Sequence, residues 1–197
     1  MAEERRIVIE LGCGPRKSVP GAWGVDRARF PTVDVVADLD APLPFADGSV
    51  DEIHSSHLLE HLDDLAAVLA DHHRVLRPGG HAVHVVPHFS NPYFYSDYTH
   101  RRFFGLYTLC YFTKGATPFR RRVPTFYNAL DFEIVAVKLK FQSPFPVRKR
   151  IKRIVQRLVN RSRWLQELHE ELLCWVFPAY AVSYHLRKRA PDDEPAA

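Results

Sequence analysis

The sequence predicts an α/β fold built on a mostly parallel sheet with helices on both faces. Three observations predict it. Strand and helix signals alternate over the first 90 residues, the pattern in which crossover connections lay parallel strands side by side. The apolar run Ile7-Val8-Ile9 reads as a buried parallel strand that stops at a Gly-x-Gly turn, Gly12-Cys13-Gly14. Two further short strands each close on an acid, Asp26 and Asp38, at the sheet edge where open α/β sheets bind ligands.

Taken in order, strand one covers Ile7 to Leu11, with Glu10 just before the turn. Gly12 and Gly14 let the backbone turn sharply and approach a ligand without Cβ clashes, and Pro15 suits the first position of a helix. Trp23 to Val25 reads as strand two and Val33 to Ala37 as strand three; the short window between the first two strands predicts a truncated crossover. Pro42 to Gly48 is a turn and Val50 to Ser55 is strand four. A helix beginning at Ser56 or His57 runs through Leu58, Leu59, Leu62, Leu65, Leu69 and Val75, until Pro78-Gly79-Gly80 breaks it ahead of strand five, His81 to Val86. Residues 87–127 lose periodicity and become aromatic and basic, which marks a functional insertion. Phe132 to Phe141 alternates as strand six, residues 147–176 have helical spacing, and Ala179 to Leu186 forms a final strand. This gives a single domain over 1–190, with a substrate-loop region at 87–127, a basic helical insertion at 147–176 and a disordered tail at 191–197.

Composition supports one soluble domain: 197 residues, 46% apolar and 25% charged. Cys13, Cys110 and Cys174 form no spaced pair, so neither a disulfide framework nor a zinc site is indicated, and a reducing cytoplasm fits. The charged start Met-Ala-Glu-Glu-Arg-Arg leads straight into strand one, which predicts no signal peptide. The longest apolar run, Leu172 to Val182, is too short to span a bilayer. Net charge is +4, but eight cations and no acid fall in residues 148–163, so the rest of the chain is net negative. One surface is therefore built to meet something anionic.

A strand, a Gly-x-Gly turn and a helix N-terminus make a nucleotide-type crevice. Glu10 would repel a pyrophosphate there and attract a cationic ligand. Glu10-Leu-Gly12-Cys13-Gly14 resembles the first motif of class I methyltransferases dependent on S-adenosyl-L-methionine (SAM), a cofactor with a sulfonium and an ammonium. Trp-Gly-Val-Asp26 resembles the acid that accepts hydrogen bonds from the ribose hydroxyls. Ala-Asp38-Leu39-Asp40 resembles the segment that meets the adenine. Ser56-His-Leu-Leu-Glu60-His61-Leu, followed by His73-Arg-Val-Leu-Arg-Pro-Gly-Gly, resembles the fourth-helix signature of the small-molecule, type 11-like subgroup. The resemblance implies a Rossmann-like, seven-stranded methyltransferase fold. It implies SAM contacts at Glu10, Gly12, Cys13, Gly14, Asp26, Asp38 and Leu39, with Ser55 and Ser56 near the methionyl end. Glu60 and His61 read as structural residues that pair locally.

Methyl transfer to a hydroxyl needs an aligned acceptor and benefits from a base. His88 and His100, in the loop after strand five, are the candidate bases, because imidazole titrates near neutrality, and Asp97 could orient either one. The same three residues have the donor chemistry of a two-histidine, one-carboxylate metal site, but loop spacing fixes no geometry and no metal is assigned. A structural alternative has Asp97 capping a helix that begins near Thr99. The Asp97-x-Thr-His100-x-Arg-Phe-Phe stretch resembles one in methyltransferases of bacterial glycoconjugate gene clusters, which implies the enzyme class and says little of the substrate; the first reading is a hydroxyl of a small molecule, a sugar or glycoconjugate, as acceptor. The basic segment fits a solvated helix, an anionic membrane or lipid-linked acceptor that would make the protein peripheral to the membrane, or RNA. The methyltransferase signature for exocyclic amines is absent at His54-Ser-Ser-His, which disfavours nucleic acid. A natural-product tailoring enzyme and a non-catalytic binding protein are the other readings.

Overall fold

The computed structural model describes residues 6–114 and 117–193. Its strands are β1 (Val8–Leu11), β2 (Trp23–Asp26), β3 (Val35–Val36), β4 (Val50–Ser56), β5 (Leu76–Pro87), β6 (Phe132–Lys140) and β7 (Ala181–Lys188). They form one sheet in the order β3-β2-β1-β4-β5-β7-β6. The ladders from β3 to β5 are parallel, and β7 runs antiparallel to both of its neighbours. The chain steps outward from β1 to β3 and returns to β4 on the other flank of β1. That reversal opens a crevice at the carboxyl ends of β1 and β4. Ile9, Leu11, Val25, Ile53 and Ala82 anchor the sheet's core.

Helices are fewer than the sequence predicts. No helix follows Pro15: residues 12–22 are turns and bends. The buried Glu10 carboxylate explains this, because it accepts the N–H groups of Ser18 and Val19 and the Ser18 hydroxyl. Pro20 also denies the segment a helical donor. Helix α1 spans Leu65–Val75, starting two turns later than the apolar periodicity predicts. The Asp64 carboxylate accepts from the N–H groups of Ala66 and Ala67, a strong N-cap. His57 has φ +54°, the left-handed region, so the chain cannot start a helix there. Leu58, Leu59 and Leu62 are still buried, but in a packed loop. Their spacing reflected burial and not helical geometry. Strand β3 shrinks to two residues and β5 begins at Leu76, ahead of the Pro-Gly-Gly sequence.

The predicted insertion lies between β6 and β7 and holds α2 (Pro146–Val159), α3 (Arg163–Leu168) and a π turn at His169–Leu173. Its docking solves an edge problem. β6 ends the sheet, so one side of its backbone has no partner strand. Asn160 accepts the Leu139 N–H and donates to the Leu139 carbonyl, Gln156 accepts the Phe141 N–H, and Gln166 donates to the Val137 carbonyl. Three amide side chains thus replace a neighbouring strand. Of the expected tail, residues 194–197 lie outside the described residues; Asp193 is engaged by Arg187 and by the Ala190 N–H. Among the described residues, no helix is long and apolar enough to cross a membrane.

Candidate active site

The crevice at the carboxyl edge encloses about 590 Å³ and is lined by Gly12, Asp26, Asp38, Leu39, His57, Leu58, His61, Tyr98, Thr99 and Arg101, among others. That volume suits a nucleoside-sized ligand. Gly12 and Gly14 have φ of +66° and +57°, so the turn requires glycine at both. A Cβ on Gly12 would also stand 3.2 Å from the Leu58 side chain. The Gly14 N–H donates to Asp26 Oδ2 (2.9 Å) and the Ala28 N–H to Oδ1 (2.9 Å). Each Asp26 oxygen keeps a second acceptor position, as a ribose diol requires. These features fit the expected SAM.

The other expected cofactor residues lie elsewhere. Glu10 is only 5% exposed and its carboxylate belongs to the loop at 18–19. Cys13 is buried, and burial followed by Asp26 and Glu10 pushes its thiol pKa up, so it stays protonated. Ser55 is buried, with Oγ 2.8 Å from His84 Nδ1, while Ser56 is exposed at the end of β4.

Of the three candidate catalytic residues, two come together. Asp97 Oδ1 accepts from the Thr99 N–H (2.9 Å) and hydroxyl (2.6 Å), an Asx turn rather than a helix cap. Those two bonds, with smaller help from His100 and His61, hold the Asp97 carboxyl below its usual pKa. His100 Nε2 lies 3.6 Å from Asp97 Oδ2, and the His100 ring is 4.8 Å from that of His61. His88 stands apart. It is fully buried, Nδ1 accepts the Ser90 N–H, and Nε2 meets Glu170 Oε2 at 3.0 Å. Glu170 also accepts the Leu106 N–H, so His88 ties the loop to the insertion and offers no free nitrogen to an acceptor. The grouping of His88 with Asp97 and His100 is therefore not realised.

Sequence reasoning missed the part played by the loop after β4. His57 and His61 line the crevice, and the fully buried Glu60 contacts His57 Nδ1 through Oε1 at 3.2 Å. Reading these residues onto a helix hid that arrangement. The His-x-x-Glu-His spacing after β4 was the available signal.

Residues 10–84 match the family model of a methyltransferase domain. A probable SAM-dependent methyltransferase of Mycolicibacterium smegmatis is 46% identical over 91 residues, which cover 38% of this chain and 35% of that protein. Among solved structures, a SAM-dependent methyltransferase from Archaeoglobus fulgidus aligns with TM-score 0.54 at 19% identity, covering 94% of this chain and 87% of that one. The [4+2]-cyclase SpnF aligns with the same TM-score at 14% identity, covering 94% of this chain and 75% of that one. Identities this low speak for fold, and one fold here accompanies different reactions. With the glycine turn, the strand-end acids and the 3-2-1-4-5-7-6 sheet, the chain has the fold of class I SAM-dependent methyltransferases, and its residues 10–84 match the model of a methyltransferase domain.

Proposed function

We propose that the protein is a SAM-dependent methyltransferase acting on a hydroxyl of an anionic, lipid-linked sugar at a membrane surface. The observation that carries this reading is a second cavity of about 770 Å³, walled by Tyr93, Phe141 and Tyr180 and by Lys149 and Arg153 of α2. Aromatic faces suit the C–H faces of a sugar ring, and two cations suit a phosphate. The Tyr180 ring stands edge-on to His57 at 5.8 Å, and His57 borders the cofactor crevice, so a ring contact joins the walls of the two cavities.

His57 is held for proton chemistry. With Nδ1–H directed at Glu60, Nε2 is the basic nitrogen, the arrangement by which a carboxylate orients an imidazole base. Its left-handed backbone costs about 1–3 kcal/mol, strain of the kind that accumulates at functional positions. The bound cofactor supplies an electrophilic methyl group on a sulfonium.

Helix α2 supports the membrane part. Val147, Ile151, Ile154 and Leu158 form an exposed apolar stripe at helical spacing, while Lys149, Arg150, Arg153 and Arg157 are exposed along another side. The inward positions are Lys152, Val155, Gln156 and Val159, which explains why the stripe stays exposed among the described residues. Lys152 Nζ donates to the Pro178 carbonyl, and burial, then Arg148, pushes its pKa down. An apolar stripe beside a cationic row suits an interface helix on anionic lipid.

The test is co-sedimentation with phosphatidylglycerol vesicles, paired with methyl transfer from labelled SAM to polyprenyl-phosphate-linked and free sugars. The parent should pellet, and Arg150→Glu/Arg153→Glu/Arg157→Glu should not. The variant's acceptor KM should rise most at low salt, since the Debye length is ~8 Å at physiological ionic strength. A parent that stays in the supernatant and methylates free sugars equally well would refute the reading.

A further inference from the structure

We infer that Glu60, His61 and His100 form a binding site for one divalent transition-metal ion, independent of the acceptor assignment. The three residues each offer a ligand atom, and these atoms lie within 4.8 Å of one another. They come from different segments. Glu60 and His61 belong to the loop after β4, and His100 to the loop after β5.

The hydrogen bonds decide which nitrogens are available. His100 Nδ1 lies 2.9 Å from the Phe94 carbonyl oxygen, which can only accept, so Nδ1 carries the proton and Nε2 the lone pair. The Thr99 hydroxyl lies 2.6 Å from Asp97 Oδ1, an ionised carboxylate that also can only accept. The hydroxyl proton is therefore committed, and Thr99 Oγ1 must accept from His61 Nδ1 at 2.8 Å. In the tautomers these bonds fix, Nε2 of each ring carries the lone pair; that of His100 lies 3.6 Å from Asp97 Oδ2, beyond hydrogen-bond range. Donation of the second ring N–H to a carbonyl or a carboxylate-linked oxygen is the usual support of a metal-binding histidine.

Glu60 supplies an independent sign. Its side chain is 0% exposed and Oε1 faces His57, but Oε2 is buried with no hydrogen-bond partner among the described residues. A buried carboxylate oxygen without a partner is costly, and a cation beside it removes that cost. Two imidazoles and a carboxylate select zinc or a similar first-row ion over magnesium or calcium, and leave a coordination position open. Two extra links already join the same loops: the Arg101 N–H donates to the Glu60 carbonyl, and Arg101 pairs with Asp63. The ion would staple the two loops over the cofactor crevice.

The experiment is titration of the chelator-treated full chain with Zn²⁺ by calorimetry and with Co²⁺ by visible absorption. One equivalent should bind, with the d–d bands of a low-coordinate N/O site, and thermal unfolding should rise with free Zn²⁺. His100→Ala and Glu60→Gln should each weaken binding at least tenfold. His81→Ala should bind like the parent; it disrupts a separate pair, His81 and His185. Circular dichroism of each variant without metal separates lost affinity from lost folding, and His61→Ala gives a second ligand deletion if one variant unfolds. No uptake by the parent, or equal affinity in two folded ligand variants, would overturn the site.

Discussion

Acid should destabilise this fold through a histidine sealed in its interior. His72 is 2% exposed, and its Nδ1 has no hydrogen-bond partner among the described residues. Its ring stacks on His84 at 5.3 Å, and His84 is fixed through Nδ1 by the Ser55 hydroxyl. Burial lowers the His72 pKa from 6.5 to about 4, against a small opposing pull from Asp71. His84 is pushed well below its ordinary value, first by burial and then by His72 and His54. A depressed histidine pKa means the unfolded chain binds the proton more readily. The His72 contribution is therefore complete above pH 6.5 and is lost as pH falls toward 4. Linkage puts that loss at about 2 kcal/mol by pH 5 and about 3 kcal/mol by pH 4.

The perturbation is His72→Leu, an apolar side chain of similar size at an apolar site. Urea unfolding of parent and variant at pH 7.5 and 5.0 gives the four free energies required. Between those pH values the parent should lose about 2 kcal/mol more than the variant, because acid effects on shared carboxylates cancel in the difference. Curves that shift in parallel, within about 0.5 kcal/mol, would show that His72 does not titrate between the folded and unfolded states as its burial requires.

Two further outcomes follow from the geometry. Asp26→Ala should weaken SAM binding by one to two decades in calorimetry, since hydrogen bonds to a charged group contribute roughly 1.5–3 kcal/mol. Unchanged affinity would remove Asp26 from the ribose site. Asn160→Ala leaves the Leu139 N–H and carbonyl without their side-chain partner and should cost about 1–3 kcal/mol in denaturant unfolding, with raised hydrogen exchange along β6; a neutral change would mean that the Asn160 bonds do not hold the insertion to β6.

Legibility in the sequence followed the physics of each segment. Strand β1 was readable from its apolar run and β7 from its alternation of buried and less buried residues, and Asp26 and Asp38 because a strand end needs a turn residue. The loop after β4 was misread because burial and helical periodicity leave the same trace: Leu58, Leu59 and Leu62 face the core without a helix. What distinguished the two was Asp64, a better N-cap than His57, and a backbone angle that no composition reveals. That single misreading put His61, which lines the crevice, and Glu60, buried behind His57, on a helix as local structural partners. It also left His100 paired on paper with His88, a residue whose nitrogens are both engaged.

The same reasoning explains how His100 acquires its real neighbours. Asp97 and Thr99 build a tight turn from side chains, and that turn presents Thr99 to His61 and His100 to Phe94. A residue three positions along can reach another segment only because the turn, and not a helix, sets its direction. Replacing Asp97 by Asn keeps an oxygen that accepts from both Thr99 donors but removes its charge, so the hydroxyl proton is held less firmly. Thr99 could then donate to His61 Nδ1 and leave its proton on Nε2. Asp97→Asn should accordingly weaken Zn²⁺ binding by ten- to a hundredfold while leaving thermal unfolding of the metal-free chain unchanged, a pair of measurements that separates a charge relay from a mere loop prop.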